Sequence, residues 1–378
     1  GRIEDFGPLE KSVQRTIRKG LKVMCREIQM GVAAAQRALL HAGLPPGSYD
    51  PDRTGVVYGS DYIMTMPDEF TEGIRECLDE QRHFEFRRWA TQGLPQLTPL
   101  WLLKYLPNMP ASHIAIYNDL RGPNNSITLR EASSNLAVAE AYCTIVRGNA
   151  DTVIAGATGT RLHPLRTVHV ALQEEIAQGD TAPEKLSRPF DLNRCGMVLG
   201  EGAGAIVVEA LESAQARGVE ILGEIVGFAS SAVVDRSGAG NITKALQNVM
   251  QQALRKADMS LDELGHLNAH GLSTRAGDEQ EAAAIAAVFA TRARPIPVTA
   301  FKSYMGNLGA AGGMVELICS TLALQEGQLT PILNYETPDP RCPIAAVRSS
   351  AESPGDSFMN ISVTPQGQAS AALVRRFT

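Results

Sequence analysis

Two hydrophobic periods alternate along the chain. Short strand-like blocks are followed by longer stretches in which apolar residues recur every three or four positions, and this alternation predicts parallel sheets covered by helices. The clearest unit is a strand, a sharp turn, a helix and a second strand within 127–157: the helix over 136–146 and the strand over 151–157. A unit of the same kind starts at Val298, passes through a turn at Asn307 and enters a helix over 314–324. Each unit places a polar side chain in the turn ahead of its helix, as an internally duplicated fold would. Ala132, Ala137, Ala139 and Ala141 suit a helix lying between layers, where backbones approach closely. The first strong helical pattern covers 21–42, and a loose seam near 214–218 divides the chain into halves 1–214 and 215–378.

Composition narrows the class. The chain has 378 residues, 44% hydrophobic and 20% charged, with a formal net charge of -6. That length supports a large core, and the charge gives no support for disorder or general nucleic-acid affinity. No apolar run reaches the ~18–20 residues of a membrane-spanning helix and no secretory signal opens the chain, so a cytoplasmic protein is expected. Cys25, Cys77, Cys143, Cys195, Cys319 and Cys342 lack any CxxC spacing, so reduced thiols are expected, with no metal and no cofactor.

Chemistry concentrates in a few motifs. Glu131 lies in the turn between Ser126-Ile127-Thr128 and the small-residue helix, where unpaired amides and the macrodipole favour a negative charge. Leu120-Arg121-Gly122-Pro123-Asn124 precedes it. Ser187-Arg188-Pro189-Phe190-Asp191 leads to Gly200-Glu201-Gly202-Ala203-Gly204, and two longer motifs follow, NAHGLSTRAGDEQE over 268–281 and FKSYMGNLGAAGG over 301–313. In this order the motifs resemble the elongating β-ketoacyl-[acyl carrier protein] synthases of fatty acid and polyketide synthesis. The resemblance implies a thiolase-like layered αβαβα fold of two similar halves. It also implies a strand, helix and strand ahead of the first helix, so an opening segment is expected to be missing from this sequence.

Carried over position by position, the family's cysteine and two histidines become Glu131, His270 and Asn307, with Lys302 and Thr364 in supporting places. Sulfur captures an acyl group and releases it again; a carboxylate would form a mixed anhydride that water destroys. Decarboxylation of a malonyl thioester needs only donors to the enolate oxygen, and His270 and Asn307 both donate. Glu131 has three readings: a base whose pKa burial raises toward neutrality, a charge mimic of the thiolate, or a buried acid paired with Arg130 or His270. Lys302 is expected to tune the field at His270. Asp278 and Glu281 open a helix and are read as structural.

The resemblance further implies a glycine-rich gating loop, but this chain has Val363-Thr364-Pro365-Gln366 there. Pro365 predicts a stiffer loop and a smaller gate at Thr364, whose amide could complete an oxyanion hole with that of Glu131. Implied partners are an acyl carrier protein and a second chain, identical or another ketosynthase. The basic run Arg15, Arg18, Lys19 and Lys22 suits either an acidic carrier or a solvated helix face. Two functions stay open: an enzyme on malonyl or acyl thioesters, decarboxylating or working without an acyl-enzyme, and a non-catalytic partner like the chain-length factors.

Overall fold

The computed structural model describes residues 3–179 and 181–378. Among them, ten strands form two sheets. The first contains β1 (Thr54–Ser60), β2 (Asn124–Thr128), β3 (Thr152–Thr160) and β4 (Glu201–Glu209), in the order β2-β1-β3-β4. The second contains β5 (Glu224–Ala232), β6 (His266–Asn268), β7 (Pro297–Thr299), β8 (Ala345–Ala346), β9 (Ser357–Val363) and β10 (Gln368–Arg375), in the order β5-β10-β9-β6-β7-β8.

The sheets repeat one plan. β1 runs parallel to β2 and β3, and β4 runs antiparallel to β3. Likewise β6 runs parallel to β7 and β9, and β10 runs antiparallel to β9. The order β7-β6-β9-β10 therefore reproduces β2-β1-β3-β4, direction for direction. The second sheet adds β8 beyond β7 and β5 beyond β10.

Five layers result, α, β, α, β, α. Helices Ser133–Val146 and Gly312–Glu326 lie side by side in the middle and touch both sheets. A helix packed on both faces has no polar side, and Ala137, Val138 and Ala141 on one, with Met314, Leu317 and Leu324 on the other, are all buried. At Gly313 an added Cβ would stand 2.8 Å from the Ser362 Oγ and 3.1 Å from the Ser134 Cβ, so only glycine lets these neighbours meet. The outer layers are helices Arg26–His41 and Met109–Asn118 over the first sheet, and Ile242–Lys256 and Arg275–Val288 over the second. Arg26–His41 buries Ile28, Val32, Ala35 and Leu39, a single stripe facing the sheet.

The helix predicted over 21–42 is shorter. It is Arg26–His41, preceded by a separate helix Lys11–Gly20 and a 3-10 turn Leu21–Val23. Met24 and Cys25 are extended, and Met24 is buried, so the apolar residues just before Arg26 anchor a bend and do not prolong the helical stripe. The predicted helices over 136–146 and 314–324 each gain residues at the N-terminal end, next to the candidate turns. No helix among the described residues is long and apolar enough to cross a membrane.

Candidate active site

The carboxyl ends of parallel strands collect the polar side chains of this fold, as open α/β sheets do. Asp61 directly follows β1, Glu131 lies in the short 3-10 turn Arg130–Ala132 after β2, and Arg161 directly follows β3. From the second sheet, His270 follows β6, Lys302 and Asn307 follow β7, and Thr364 follows β9. The duplicated plan thus points two sets of strand ends at one place.

The turn carrying Glu131 is held tightly. Arg130 adopts a left-handed backbone, φ 49°, a conformation uncommon for a non-glycine residue. The Leu129 amide donates to the Ser133 Oγ at 2.8 Å, and that hydroxyl donates to the Ser60 carbonyl at 3.0 Å. The Ser134 hydroxyl donates to the Ala310 carbonyl at 2.5 Å, which ties the turn to the second half.

Glu131 is 1% exposed and does not stand free. Its Oε1 accepts from the Arg161 guanidinium and, at 3.3 Å, from the Asn307 Nδ2; its Oε2 lies 3.4 Å from the Arg130 Nε. Arg161 is fully buried and also lies 3.7 Å from Asp61, which pairs with Arg166 at 3.0 Å. Arg130 donates to Glu174 at 2.5 Å and to the Gln366 side chain at 3.2 Å. Three guanidiniums, Arg130, Arg161 and Arg166, therefore face three carboxylates, Asp61, Glu131 and Glu174, in a nearly dry setting.

Burial alone would push the Glu131 carboxyl up, but the guanidiniums of Arg161 and Arg130 outweigh it and hold the group well below the usual carboxylate range. This corrects the expectation of a base tuned toward neutrality. Burial did not win because two cations arrived with it. Of the partners expected for a paired acid, Arg130 is present at the edge of the pair. Among the described residues no hydrogen bond joins Glu131 to His270; the principal partner is Arg161.

His270 sits in a second ionic group. The Lys302 ammonium lies 3.3 Å from its Nδ1 and pairs with the buried carboxylate of Glu316. An ammonium only donates, so Nδ1 accepts and the ring proton resides on Nε2. Burial, with the Lys302 charge beside it, holds His270 well below its ordinary range, so the ring is neutral. Its Nε2 is buried and has no hydrogen-bond partner. The His270 and Gly271 amides donate to Glu281 at 2.6 and 2.8 Å, and Asp278 accepts from the Phe190 amide at 2.8 Å. Glu281 thus braces the loop after β6, and Asp278 ties the segment at Phe190 to the helix Arg275–Val288.

Asn307 is clamped. Its Oδ1 accepts from the Gly309 amide at 2.9 Å, and its Nδ2 lies 3.4 Å from the Met197 sulfur besides reaching Glu131. Thr364 belongs to the tight turn between β9 and β10. Its amide donates to the Gln368 carbonyl at 2.8 Å and its carbonyl accepts from the Gly367 amide at 3.0 Å. A donor spent inside a hairpin is not offered to a substrate, so the expected oxyanion role of the Thr364 amide is corrected.

Sequence reading placed Glu131, Asn307, His270 and Lys302 in one region, and they are brought together as Glu131 with Asn307 and His270 with Lys302. It missed Arg161, Asp61, Arg166, Glu174 and Glu316. Arg161 and Asp61 carried a usable signal: each is a charged residue immediately after an apolar strand of a parallel sheet.

Comparison with known families and structures identifies the family and the fold. The family described as "Beta-ketoacyl synthase, N-terminal domain" matches residues 1–214, and "Beta-ketoacyl synthase, C-terminal domain" matches 222–336. A 3-oxoacyl-[acyl-carrier-protein] synthase 2 of Staphylococcus aureus is 30% identical over 358 residues, 93% of this chain and 83% of that protein. The enzyme of the same name from Synechocystis sp. is 31% identical, covering 90% of this chain and 78% of its own length. Among solved structures, a β-ketoacyl synthase from Burkholderia phymatum STM815 superposes with a TM-score of 0.82 at 27% identity, covering 96% of this chain and 85% of its own. A type II polyketide synthase ketosynthase complexed with its acyl carrier protein gives 0.79 at 24% identity, covering 93% and 85%, a likeness of fold.

Proposed function

Since the chain belongs to the β-ketoacyl synthase family, we propose that it is a non-condensing member: a chain-length-factor-like subunit that pairs with an active ketosynthase in fatty acid or polyketide synthesis. One observation carries this reading. The side chain at the nucleophile position is a carboxylate fixed by the buried guanidinium of Arg161.

Such a group is unfit for each step of condensation. As a nucleophile it would have to leave two cations and then form an anhydride. As a base it has too little proton affinity, because Arg161 and Arg130 stabilise the ionised form. The oxyanion donors are also committed, Thr364 to Gln368 and Asn307 to Glu131. The partners this reading implies are a ketosynthase in a heterodimer, or a second identical chain, together with an acyl carrier protein in the cytoplasm.

A second reading, decarboxylation of malonyl-carrier protein, rests on the Nε2–H of His270. Among the described residues it is a buried side-chain donor without a partner, and a single donor to a developing enolate is typically worth ~3–4 kcal/mol.

The deciding experiment incubates the purified protein with malonyl- and acyl-carrier protein and follows both proteins by intact mass, then repeats it with a co-expressed ketosynthase. The expected outcome is neither acetyl-carrier protein nor an acyl adduct from this chain alone, and stable association with the ketosynthase. Acetyl-carrier protein from the isolated chain favours the second reading; an adduct at Glu131 removes both.

A further inference from the structure

The Glu131 cluster reads most simply as a ligand and its site encoded in one chain. A free carboxylate bound by a protein is typically met by a guanidinium, by a second cation and by a neutral N–H donor. Glu131 meets all three, in Arg161, Arg130 and Asn307. Arg130 does not depend on Glu131 for its placement. Arg130 is anchored by Glu174 and Gln366, and Arg161 leaves β3 between Asp61 and the loop at Gly309, whose absent Cβ would lie 3.4 Å from the Arg161 Nε. Two nitrogens of Arg161, Nε and Nη1, are buried and make no hydrogen bond, so the guanidinium keeps unused donor capacity.

We propose that Arg161, Arg130 and Asn307 form a carboxylate-binding seat which Glu131 occupies from within the chain, and that a shortened side chain at 131 opens this seat to a small external carboxylate such as formate or acetate. The charge balance supports this. With Glu131 present, three guanidiniums, those of Arg161 and Arg166 fully buried and that of Arg130 partly so, face three carboxylates; without it, the buried Arg161 loses its hydrogen-bonded partner, and an anion of the same chemistry is what the vacancy selects. The proposal deepens the reading of a non-condensing site, because Arg161 and not Glu131 alone then silences it: the residue that would meet an incoming thioester is already liganded.

The test is thermal melting of Glu131→Ala with formate or acetate, against chloride at equal ionic strength. A ligand that binds only the folded state stabilises by mass action, so acetate at ten times its Kd should raise Tm by about 2–4 °C. The wild type, its seat filled, should not respond, and Arg161→Met in the Glu131→Ala background should abolish the response. Equal responses to acetate and chloride, or a response that survives Arg161→Met, overturn the proposal. If Glu131→Ala does not fold, Glu131→Met with Arg161→Met decides instead. Removing both partners leaves two cations facing two anions and should melt higher than either single change; a double variant as unstable as the two losses combined refutes the seat. These readouts involve no turnover, so acetyl-carrier protein from the wild-type chain would count against the non-condensing reading and leave the seat standing.

Discussion

At the scale of single residues, position 131 shows how neighbours decide the meaning of a side chain. A buried carboxyl is ordinarily driven toward its neutral form, and a free Glu131 would be a plausible base. Arg161 and Arg130 reverse that outcome. Glu131→Gln keeps the shape and deletes the charge, leaving Arg161 without its partner, and it should cost about 3 kcal/mol in urea-unfolding stability. An unchanged midpoint and slope would mean that the pair contributes nothing. His270 behaves in the opposite way to an ordinary surface histidine. Its ring should stay neutral, with the proton on Nε2, between pH 8 and 5.5, which nitrogen chemical shifts of the imidazole report directly. A titration centred near 6.5 would show that neither burial nor Lys302 governs the ring. The three site positions were legible because sequence motifs frame them. Arg161 was marked only by its place directly after an apolar strand, and its pairing with Glu131, across 30 residues of chain, was not legible.

Elements place these groups. Two strand-turn-helix units converge because the middle helices Ser133–Val146 and Gly312–Glu326 pack against each other, and the approach depends on a missing side chain at Gly313. Gly313→Ala would push a methyl group against Ser362 and Ser134, and a loss of roughly 1–3 kcal/mol is expected in chemical denaturation, with the secondary structure intact by circular dichroism. A neutral substitution would mean that the layers are more loosely joined than the distances indicate. These units were readable from their hydrophobic period and their alanines. The start of the chain was less so. Leu21 and Val23 extend an apparent helical stripe, yet the chain uses that stretch to turn, with Met24 as the buried anchor, because the stripe that faces the first sheet begins only at Ile28. The turn after β9 shows a similar limit: Pro365 announced stiffness, but only the hairpin pairing reveals that the Thr364 amide is already used.

For the whole molecule, the duplicated sheets explain why charged groups gather in a dry interior: two sets of strand ends share one centre. That burial makes stability sensitive to acid. His270 is held below its unfolded pKa, and burial pushes His266 down to about 4, so each histidine contributes stability that is lost as pH drops below about 6.5, while burial raises Asp278 to about 7 and Glu281 to about 8 and their contributions run the other way. Glu131 has the depressed-carboxylate sign: its contribution is present above the unfolded value near 4.3 and is lost as pH falls below it. His270→Gln should reduce the slope of stability between pH 6.5 and 5 by up to about 1.4 kcal/mol per pH unit, the effect of one proton. An unaltered slope would place the titration elsewhere. The layered architecture was legible through the resemblance that the ordered motifs carry, with the repeated strand-turn-helix units in support. The ionic network was not, because it is a property of the assembled centre and of no single segment.

The most direct test is an NMR titration of the Glu131 side-chain carboxyl carbon, assigned by its loss in Glu131→Gln. The account predicts a resonance that stays at its ionised position down to pH 4 and below. A midpoint between pH 6 and 7 would contradict it, because the guanidiniums would then not hold the charge and a general base would stand at the centre of the site.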